Sequence, residues 1–506
     1  MINTTVENQQ SPTILTLCAN VKDFILHDTP QKAKVKIMEL ENKLESKPEL
    51  VSDDRFLILS TLAKYYRKIK QYDKAGNYSR QAIRMTKDVS KEYIEVIIDT
   101  YLDYAALERE YGQQSTARIE LAKLLAFLDA NDYKDSLSKG HIFSSLARIS
   151  MEEENMESGL AQLEKALVYY HKAVPTTHPI ISKTVDILSG AYIQIENYPK
   201  AIELYEELRK AYREQGDKES EARILLKIGE VNFRVDLRKA RKTITDAIKL
   251  MDEIYKGNHL EISKAILMLA EIDENLGNFP RAINYYKQAL QQLTSFYDEN
   301  HFMIVFIYSK IGTLSIKTFK WKNAREYLEK GLVLSTPFPK VRSQFLYALG
   351  KIYSDEKDFE KAFAVFQEFL EQLEKGGKKK SLACGNTLQA IAFNYVQQEK
   401  YEEAFSYYKK ALEIYENLPN CKEEKGLTSI RLAYCYENME EKDIQRAEYY
   451  IEKGFYLIER ARNKELIEEA LAGIIEFYTR NLNQRKRRMY EDKFVKLRTK
   501  PNEGEH

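Results

Sequence analysis

Small residues recur along this chain with a period of about 42 residues, in two parallel series. Each member of the first series stands about twelve positions ahead of a member of the second, and large apolar residues flank both at spacings of three and four. Such spacings place side chains on one face of an α-helix, so each period predicts two helices that cross closely where a small residue meets a large one. The first series comprises Ala63, Ala105, Ala147, Ser189, Gly229, Ala270, Gly312, Gly350, Ala392 and Ala433. The second comprises Ala33, Ala75, Ala117, Gly159, Ala201, Ala240, Ala282, Ala324, Ala362, Ala404 and Ala447.

The predicted turn between the two helices of most repeats carries an aromatic residue, three positions before the small residue of the second series. Pro199 and Pro280 follow this aromatic directly, in the first turn of the second helix, where a proline loses no helix hydrogen bond. The aromatic positions are Tyr72, Tyr198, Phe279, Trp321, Phe359 and Tyr401. The pattern therefore predicts an all-α chain of helix pairs joined by short turns.

This pattern resembles the tetratricopeptide repeat family over residues 17–480. The resemblance implies an all-α, right-handed α-solenoid of about eleven helix-turn-helix repeats, in which each repeat contacts only its neighbours. The period exceeds the usual value of about 34 residues and is similar to that of the kinesin-light-chain type. Three in-register loops, which contain His178, His259 and His301, are also similar to that type.

Composition narrows the class of protein. The formal net charge is +1, so no overall field favours nucleic acid or a membrane surface, and no apolar run approaches the length of a transmembrane helix. We expect residues 1–16 to be a flexible N-terminal tail, and its polar start lacks the apolar region of a signal peptide. Four cysteines without CxxC spacing indicate reduced thiols, so we expect a cytoplasmic location. The resemblance to kinesin light chains suggests cytoskeleton or cilium as the setting.

The sequence carries no motif of a catalytic site. It lacks a phosphate-binding glycine loop, a zinc-hydrolase motif and a nucleophile elbow, so we predict a protein that is not an enzyme and has no cofactor. His178, His259 and His301 stand in separate repeats without a Cys or Asp partner, so we interpret them as loop-to-helix boundary residues and not as metal ligands. The basic, glycine-containing segment 374–380 is interpreted as a flexible connection.

The resemblance implies that the first helix of each repeat lines an inner, concave groove. In the small-residue register this face begins basic, becomes acidic around Glu230, Glu271 and Glu274, and ends more apolar at Phe393 and Tyr434. The basic part would hold an acidic peptide segment through charge-assisted hydrogen bonds. The alternative is that each cation is an ordinary charge on a solvated helix. The candidate binding residues in this groove are Lys64, Arg67, Arg109 and Arg148.

The C-terminal residues 481–506 are expected to form a basic capping helix and tail. Tyr490, Phe494 and Leu497 give an apolar stripe at helical spacing, which suits a helix that covers the end of a solenoid. The alternative is a docking helix for an acidic partner surface, or a nuclear localisation signal. The candidate docking residues are Arg485, Lys486, Arg487 and Arg488.

The predicted function is that of a non-catalytic scaffold or adaptor that binds protein partners within a larger assembly, with no nucleic acid and no transmembrane segment. Several modest contacts along a repeated surface would combine into avidity. The alternative is a peptide-responsive regulator of a signalling enzyme, because some bacterial proteins with similarly long repeats change curvature when they bind a short peptide.

Overall fold

The computed structural model describes residues 13–27, 29–46, 50–461 and 463–499, and the ordered elements within these ranges are all helical. Two short 3₁₀ helices, Pro30–Ala33 and Lys91–Tyr93, accompany the α-helices. In chain order the α-helices are α1 (Ile14–Leu26), α2 (Lys34–Ser46), α3 (Ser52–Lys68), α4 (Tyr72–Met85), α5 (Ile94–Glu110), α6 (Gln114–Ala130), α7 (Ser136–Glu152), α8 (Met156–Ala173), α9 (Pro179–Gln194), α10 (Tyr198–Gln215), α11 (Lys218–Val235), α12 (Leu237–Tyr255), α13 (Leu260–Asn275), α14 (Phe279–Leu293), α15 (Phe302–Lys317), α16 (Trp321–Leu334), α17 (Pro339–Asp355), α18 (Phe359–Lys375), α19 (Leu382–Gln397), α20 (Tyr401–Glu416), α21 (Lys422–Asn438), α22 (Ile444–Ala461), α23 (Lys464–Arg480) and α24 (Gln484–Thr499).

The chain divides into two compact units, one ending at Lys256 and the other beginning at Gly257. From α3 onward the helices form pairs, α3 with α4 through α11 with α12 in the first unit and α13 with α14 through α23 with α24 in the second. First helices of successive pairs also touch, as α3, α5 and α7 do in the first unit and α15, α17 and α19 in the second. This arrangement confirms the predicted all-α fold of tetratricopeptide-like helix pairs.

Both series of small residues lie at the helix crossings, where all of them are buried. In α15, a Cβ added to Gly312 would lie well inside van der Waals contact with the Leu328 side chain of α16. Gly350 of α17 stands in the same relation to Phe366 of α18. The lack of a side chain at these glycines lets the two helices of each pair approach closely, as the sequence pattern predicts, and leaves no room for a larger group.

The turn within eight of the pairs uses a left-handed backbone residue five positions before the second small residue. At Lys70, with φ 61°, the chain leaves α3, and the next N–H, of Gln71, donates to the carbonyl of Tyr66 at 2.8 Å. This hydrogen bond closes the C-terminal turn of the helix and satisfies a carbonyl that would otherwise lack a partner. The same position is occupied by Lys70, Gly112, Glu154, Glu196, Gly277, Phe319, Lys357 and Glu399.

The three loop histidines are helix N-caps, as predicted for residues at loop-to-helix boundaries. Nδ1 of His178 accepts the N–H of Ile180 at 3.2 Å at the start of α9. His259 and His301 accept from the second residue of α13 and of α15 in the same way, each at 3.3 Å. Each imidazole therefore satisfies one of the N–H groups left without a partner at a helix start.

The terminal helices pack on their neighbours. Leu17 and Val21 of α1 are buried with residues of α3. In α24 the buried ring of Tyr490 stacks on Tyr478 with centroids 5.5 Å apart and meets Phe455 edge-on at 5.5 Å. This packing favours the capping interpretation of the C-terminal segment, while residues 1–12 of the predicted N-terminal tail and residues 500–506 of the C-terminal tail lie outside the described residues.

Buried thiols and helix lengths complete the picture of the fold. All four cysteines are free and buried, and burial raises the pKa of the Cys435 thiol to about 12. Among the helices that the structure describes, we find none with the length and apolar character of a membrane span.

The helix crossings predict a specific sensitivity to one added methyl group. The substitution Gly312→Ala should lower the free energy of unfolding by about 1–3 kcal/mol, because the new Cβ overlaps Leu328 and the helices must separate. Gly473→Ala in α23 is the matched control, since nothing lies within 4 Å of its added Cβ, and it should stabilise by up to about 1 kcal/mol through helix propensity. Urea unfolding followed by circular dichroism measures both, and equal effects of the two variants would contradict the account.

The histidine caps predict a second pair of variants. His178→Ala removes the acceptor at the start of α9 and should lower the free energy of unfolding by about 1 kcal/mol. His178→Asn supplies a side-chain acceptor of the kind that N-caps favour, and should retain most of that stability. An equal loss in both variants, measured by urea unfolding, would show that the ring contributes by packing and not by capping.

Candidate partner-binding surface

The predicted groove residues of the first unit lie on three adjacent first helices, α3, α5 and α7. Lys64 of α3 has its ammonium group 3.3 Å from an oxygen of Asp99 and 3.9 Å from one of Asp103. Arg67, one turn later, lies 2.6 Å from Asp103 and 3.2 Å from Glu110. Both cations of α3 are therefore paired with carboxylates of α5.

Burial also affects the ionisation of a carboxyl group in this cluster of charges. The pKa of the Asp103 carboxyl is raised, chiefly because burial disfavours its charged form, while Lys64 and Arg67 act in the opposite direction. The same residues, with Glu110, line a cavity of about 330 Å³ between the two helices. Lys64 and Arg67 already have partners, so an acidic peptide would have to displace a carboxylate of the protein to contact them. Lys70, at the rim of the same cavity, has no ion pair within the described residues.

Arg109 of α5 is also paired. Its guanidinium group contacts Glu152 at the end of α7 and lies 3.8 Å from an oxygen of Glu110. The carboxylates at Asp99, Asp103, Glu110 and Glu152 were not part of the predicted site, although their register one repeat ahead of each cation is visible in the sequence. The basic row predicted from the sequence is therefore largely neutralised within the structure.

Arg148 of α7 differs from the other three cations. Its side chain is exposed, and within the described ranges no carboxylate lies within 4 Å of it. Lys64 holds the same register position, and it finds Asp99 and Asp103 on the next first helix. The corresponding positions one repeat beyond Arg148 are Lys183 and Ile187, which supply no negative charge.

A cavity of about 200 Å³ lies between α5 and α7, beside Arg148. It combines two guanidinium groups with hydroxyl and imidazole groups over an apolar floor. Its polar lining residues are Arg109, His141, Ser144, Ser145 and Arg148, and its apolar lining residues are Ala105, Ala106, Leu121 and Ile149. Cationic and hydroxyl donors that converge on one small space suit a carboxylate or another small anion.

His141 contributes a neutral group to this cavity. Burial lowers the pKa of its imidazole, although Asp135 and Asp99 act in the opposite direction. Its Nδ1 lies 3.3 Å from the hydroxyl oxygen of Tyr170 on α8, which fixes the ring. The uncompensated positive charge of the cavity therefore comes mainly from Arg148, since Arg109 is paired with Glu152 and Glu110.

The residues predicted to form the acidic and apolar parts of the groove also lie on first helices of their pairs. In the second unit, burial raises the pKa of Glu271, and Glu274 accepts from Lys310 at 3.0 Å and from the hydroxyl of Tyr286 at 2.9 Å. Phe393 and Tyr434, later in the same unit, are exposed. In the first unit, burial raises the pKa of Glu230.

The four basic residues predicted near the C-terminus separate into two kinds. Lys486 lies 2.9 Å from Glu448 and 2.8 Å from Glu452 of α22. Arg487 lies 3.2 Å from Glu491 of its own helix. Arg485 and Arg488 are exposed and have no ion pair in the described part of the chain. Lys486 therefore ties α24 to α22, Arg487 forms a pair within α24, and Arg485 and Arg488 remain exposed.

Comparisons with known proteins support the repeat family. Models of the tetratricopeptide repeat match residues 58–89 and 342–417. The "Protein KINESIN LIGHT CHAIN-RELATED 1" of Arabidopsis thaliana is 24% identical over 271 residues, which cover 50% of this chain and 44% of that protein. The chain thus spans less than half the length of the curated relative it matches. These matches confirm the predicted resemblance: residues 58–89 and 342–417 match tetratricopeptide repeats, and the chain is similar to a kinesin light chain-related protein.

Solved structures give likenesses of low sequence identity. BtubC (BKLC) from P. vanneervenii is 18% identical with a TM-score of 0.38, over 45% of this chain and 93% of that one. The apo form of RapI is 13% identical with a TM-score of 0.45, over 80% of this chain and 97% of that one.

The lowered pKa of His141 predicts a pH dependence of stability. The folded chain binds this proton at lower pH than the unfolded chain, whose histidine titrates near the ordinary 6.5, so acidification through that range favours unfolding. The substitution His141→Gln should reduce the loss of melting temperature between about pH 7.5 and 5.5. At about pH 8 both chains are uncharged at this position, so a difference there reports packing alone. Parallel curves for the variant and the original chain would contradict the assignment.

Proposed function

We propose that this chain is a non-catalytic scaffold or adaptor that holds protein partners within a larger assembly, and that an acidic segment of a partner binds at the cavity between α5 and α7. The guanidinium group of Arg148 beside this cavity, which has no ion pair among the residues that the structure describes, carries the proposal. An exposed cation at the rim of a small polar cavity can form a two-point contact with a carboxylate, which needs no displacement of an existing ion pair.

Each polar residue that lines the cavity would make a different contact with the bound carboxylate. Arg148 forms the charge-assisted contact, and Arg109 of α5, held by Glu152, offers a further N–H donor to the ligand. Ser144 and Ser145 offer hydroxyl donors to a second oxygen of the ligand. The cations of α3 are paired with carboxylates of α5, so they attract the acidic segment less strongly. One carboxylate of the partner at Arg148 would then form the strongest contact of a longer, multivalent interface.

The exposed arginines of α24 extend the proposal to a second contact. Arg485 and Arg488 are exposed and take no part in the ion pairs of Lys486, so an acidic partner surface can approach them without breaking the contact between α24 and α22. We place the chain in the cytoplasm, in a cytoskeletal or ciliary assembly. The similarity to a kinesin light chain-related protein supports that setting.

The groove proposal predicts the effect of one substitution on binding. Arg148→Gln should weaken the binding of an acidic peptide by about 10- to 100-fold, because it removes a charge-assisted contact worth about 1.5–3 kcal/mol. Fluorescence anisotropy with a panel of labelled Asp- and Glu-rich peptides, measured at low and at physiological salt, supplies the affinities.

Arg84→Gln is the matched control, since Arg84 is an exposed arginine of the second helix α4 without an ion pair in the described part of the chain. It should bind the peptides as the original chain does. Equal weakening in both variants, or none in Arg148→Gln, would contradict the site. A change in the radius of gyration on peptide binding, measured by small-angle scattering, would favour the peptide-responsive regulator over a static scaffold.

A further inference from the structure

The turn between α15 and α16 exposes two aromatic side chains that helix packing does not use. Phe319 is 79% exposed and Trp321 is 39% exposed, and their rings meet edge-on with centroids 6.3 Å apart. Trp321 is the single tryptophan of the chain. The residues at the same position of the other turns are all less exposed than Trp321: Tyr72, Tyr198, Phe279, Phe359 and Tyr401.

The backbone of this turn is a poor site for an aromatic residue. Phe319 has a φ of 56°, in the left-handed region, where a bulky side chain is strained. The other seven turns of this kind carry either glycine or a charged residue at this position, namely Gly112, Gly277, Lys70, Glu154, Glu196, Lys357 and Glu399. An aromatic side chain here is therefore unusual, and its exposure beside Trp321 indicates a role outside the fold.

Lysines alternate with the aromatic residues along this turn. Lys317 places its ammonium group 5.0 Å from the ring centroid of Phe279, in the preceding turn. Lys320 and Lys322 are exposed, and within the described residues neither has a carboxylate within 4 Å. The segment from Lys317 to Lys322 therefore carries three positive charges and no acidic residue.

The acidic residues of the following turn do not neutralise these lysines. Glu356 lies 2.7 Å from Arg325, and Asp358 lies 2.6 Å from Lys361. Both carboxylates are therefore engaged by other cations. The turn therefore combines the uncompensated positive charge of Lys320 and Lys322 with an exposed aromatic pair.

We propose that this turn docks the chain on an anionic lipid surface. Trp321 and Phe319 enter the headgroup region, where amphipathic aromatic rings are favoured, while Lys320 and Lys322 contact lipid phosphates. Two exposed rings flanked by lysines on a single turn match the interface of an anionic bilayer, where aromatic rings and cations are both favoured. This surface is separate from the cavity at Arg148 and goes beyond the proposed scaffold function.

The single tryptophan makes the test direct. The full chain is titrated with vesicles of phosphatidylcholine that contain about one third phosphatidylserine, and tryptophan emission and co-sedimentation are recorded. Emission should move to shorter wavelength with these vesicles and stay unchanged with pure phosphatidylcholine. The double variant Lys320→Gln with Lys322→Gln should bind about 25-fold more weakly, at about fivefold for each lysine removed near the surface.

Two further variants separate binding from folding. Phe319→Gly removes the aromatic ring and relieves the left-handed backbone, so it should weaken vesicle binding without lowering the melting temperature. The control Lys378→Gln with Lys380→Gln removes the same charge from another exposed basic loop and should bind vesicles as the original chain does.

Three outcomes would overturn the inference. The first is unchanged emission with anionic vesicles, and the second is equal weakening by the two lysine double variants. The third is a shift of the same size with soluble polyglutamate in the absence of vesicles, which would assign the turn to an acidic protein. A melting temperature lowered by Phe319→Gly would show that the phenylalanine serves the fold, and would remove the strain argument.

Discussion

The close approach of a small residue to a large side chain at each helix crossing is the interaction on which the rest of the structure depends. At Gly312 and Leu328, and again at Gly350 and Phe366, the space for a Cβ is already filled by the partner helix. A contact this tight fixes both the distance between the helices and their rotation. The rotation then decides which residues face outward: in α7 it buries Ala147 and leaves Arg148, the next residue, exposed.

The sequence predicts this part of the structure well because its causes are local. A period of three and four along one helix, and a small residue in register on its partner, lie within about 20 residues of each other, so the helix pairs can be read without a tertiary model. The histidine caps are equally local, since His178 accepts from a backbone N–H only two residues away.

The candidate site was harder to predict because its charges are paired across repeats. Lys64 and Arg67 meet carboxylates some 35 to 43 residues later in the chain, and a pattern that follows one helix at a time does not show such pairs. Reading the same register one repeat ahead would have shown Asp103 opposite Lys64 and Ile187 opposite Arg148. The exposure of Phe319 depends on its left-handed backbone, which sequence periodicity does not describe.

The central functional claim is that Arg148 and the cavity beside it hold a carboxylate of a partner. The most direct measurement is NMR of arginine side chains labelled at Cζ and Nε, recorded while an acidic peptide is added. The account predicts that the Arg148 signal moves and broadens first, that the Arg109 signal follows, and that the Arg84 signal stays in place. An Arg148 signal that stays fixed while the peptide binds would contradict the account and place the binding surface elsewhere on the chain.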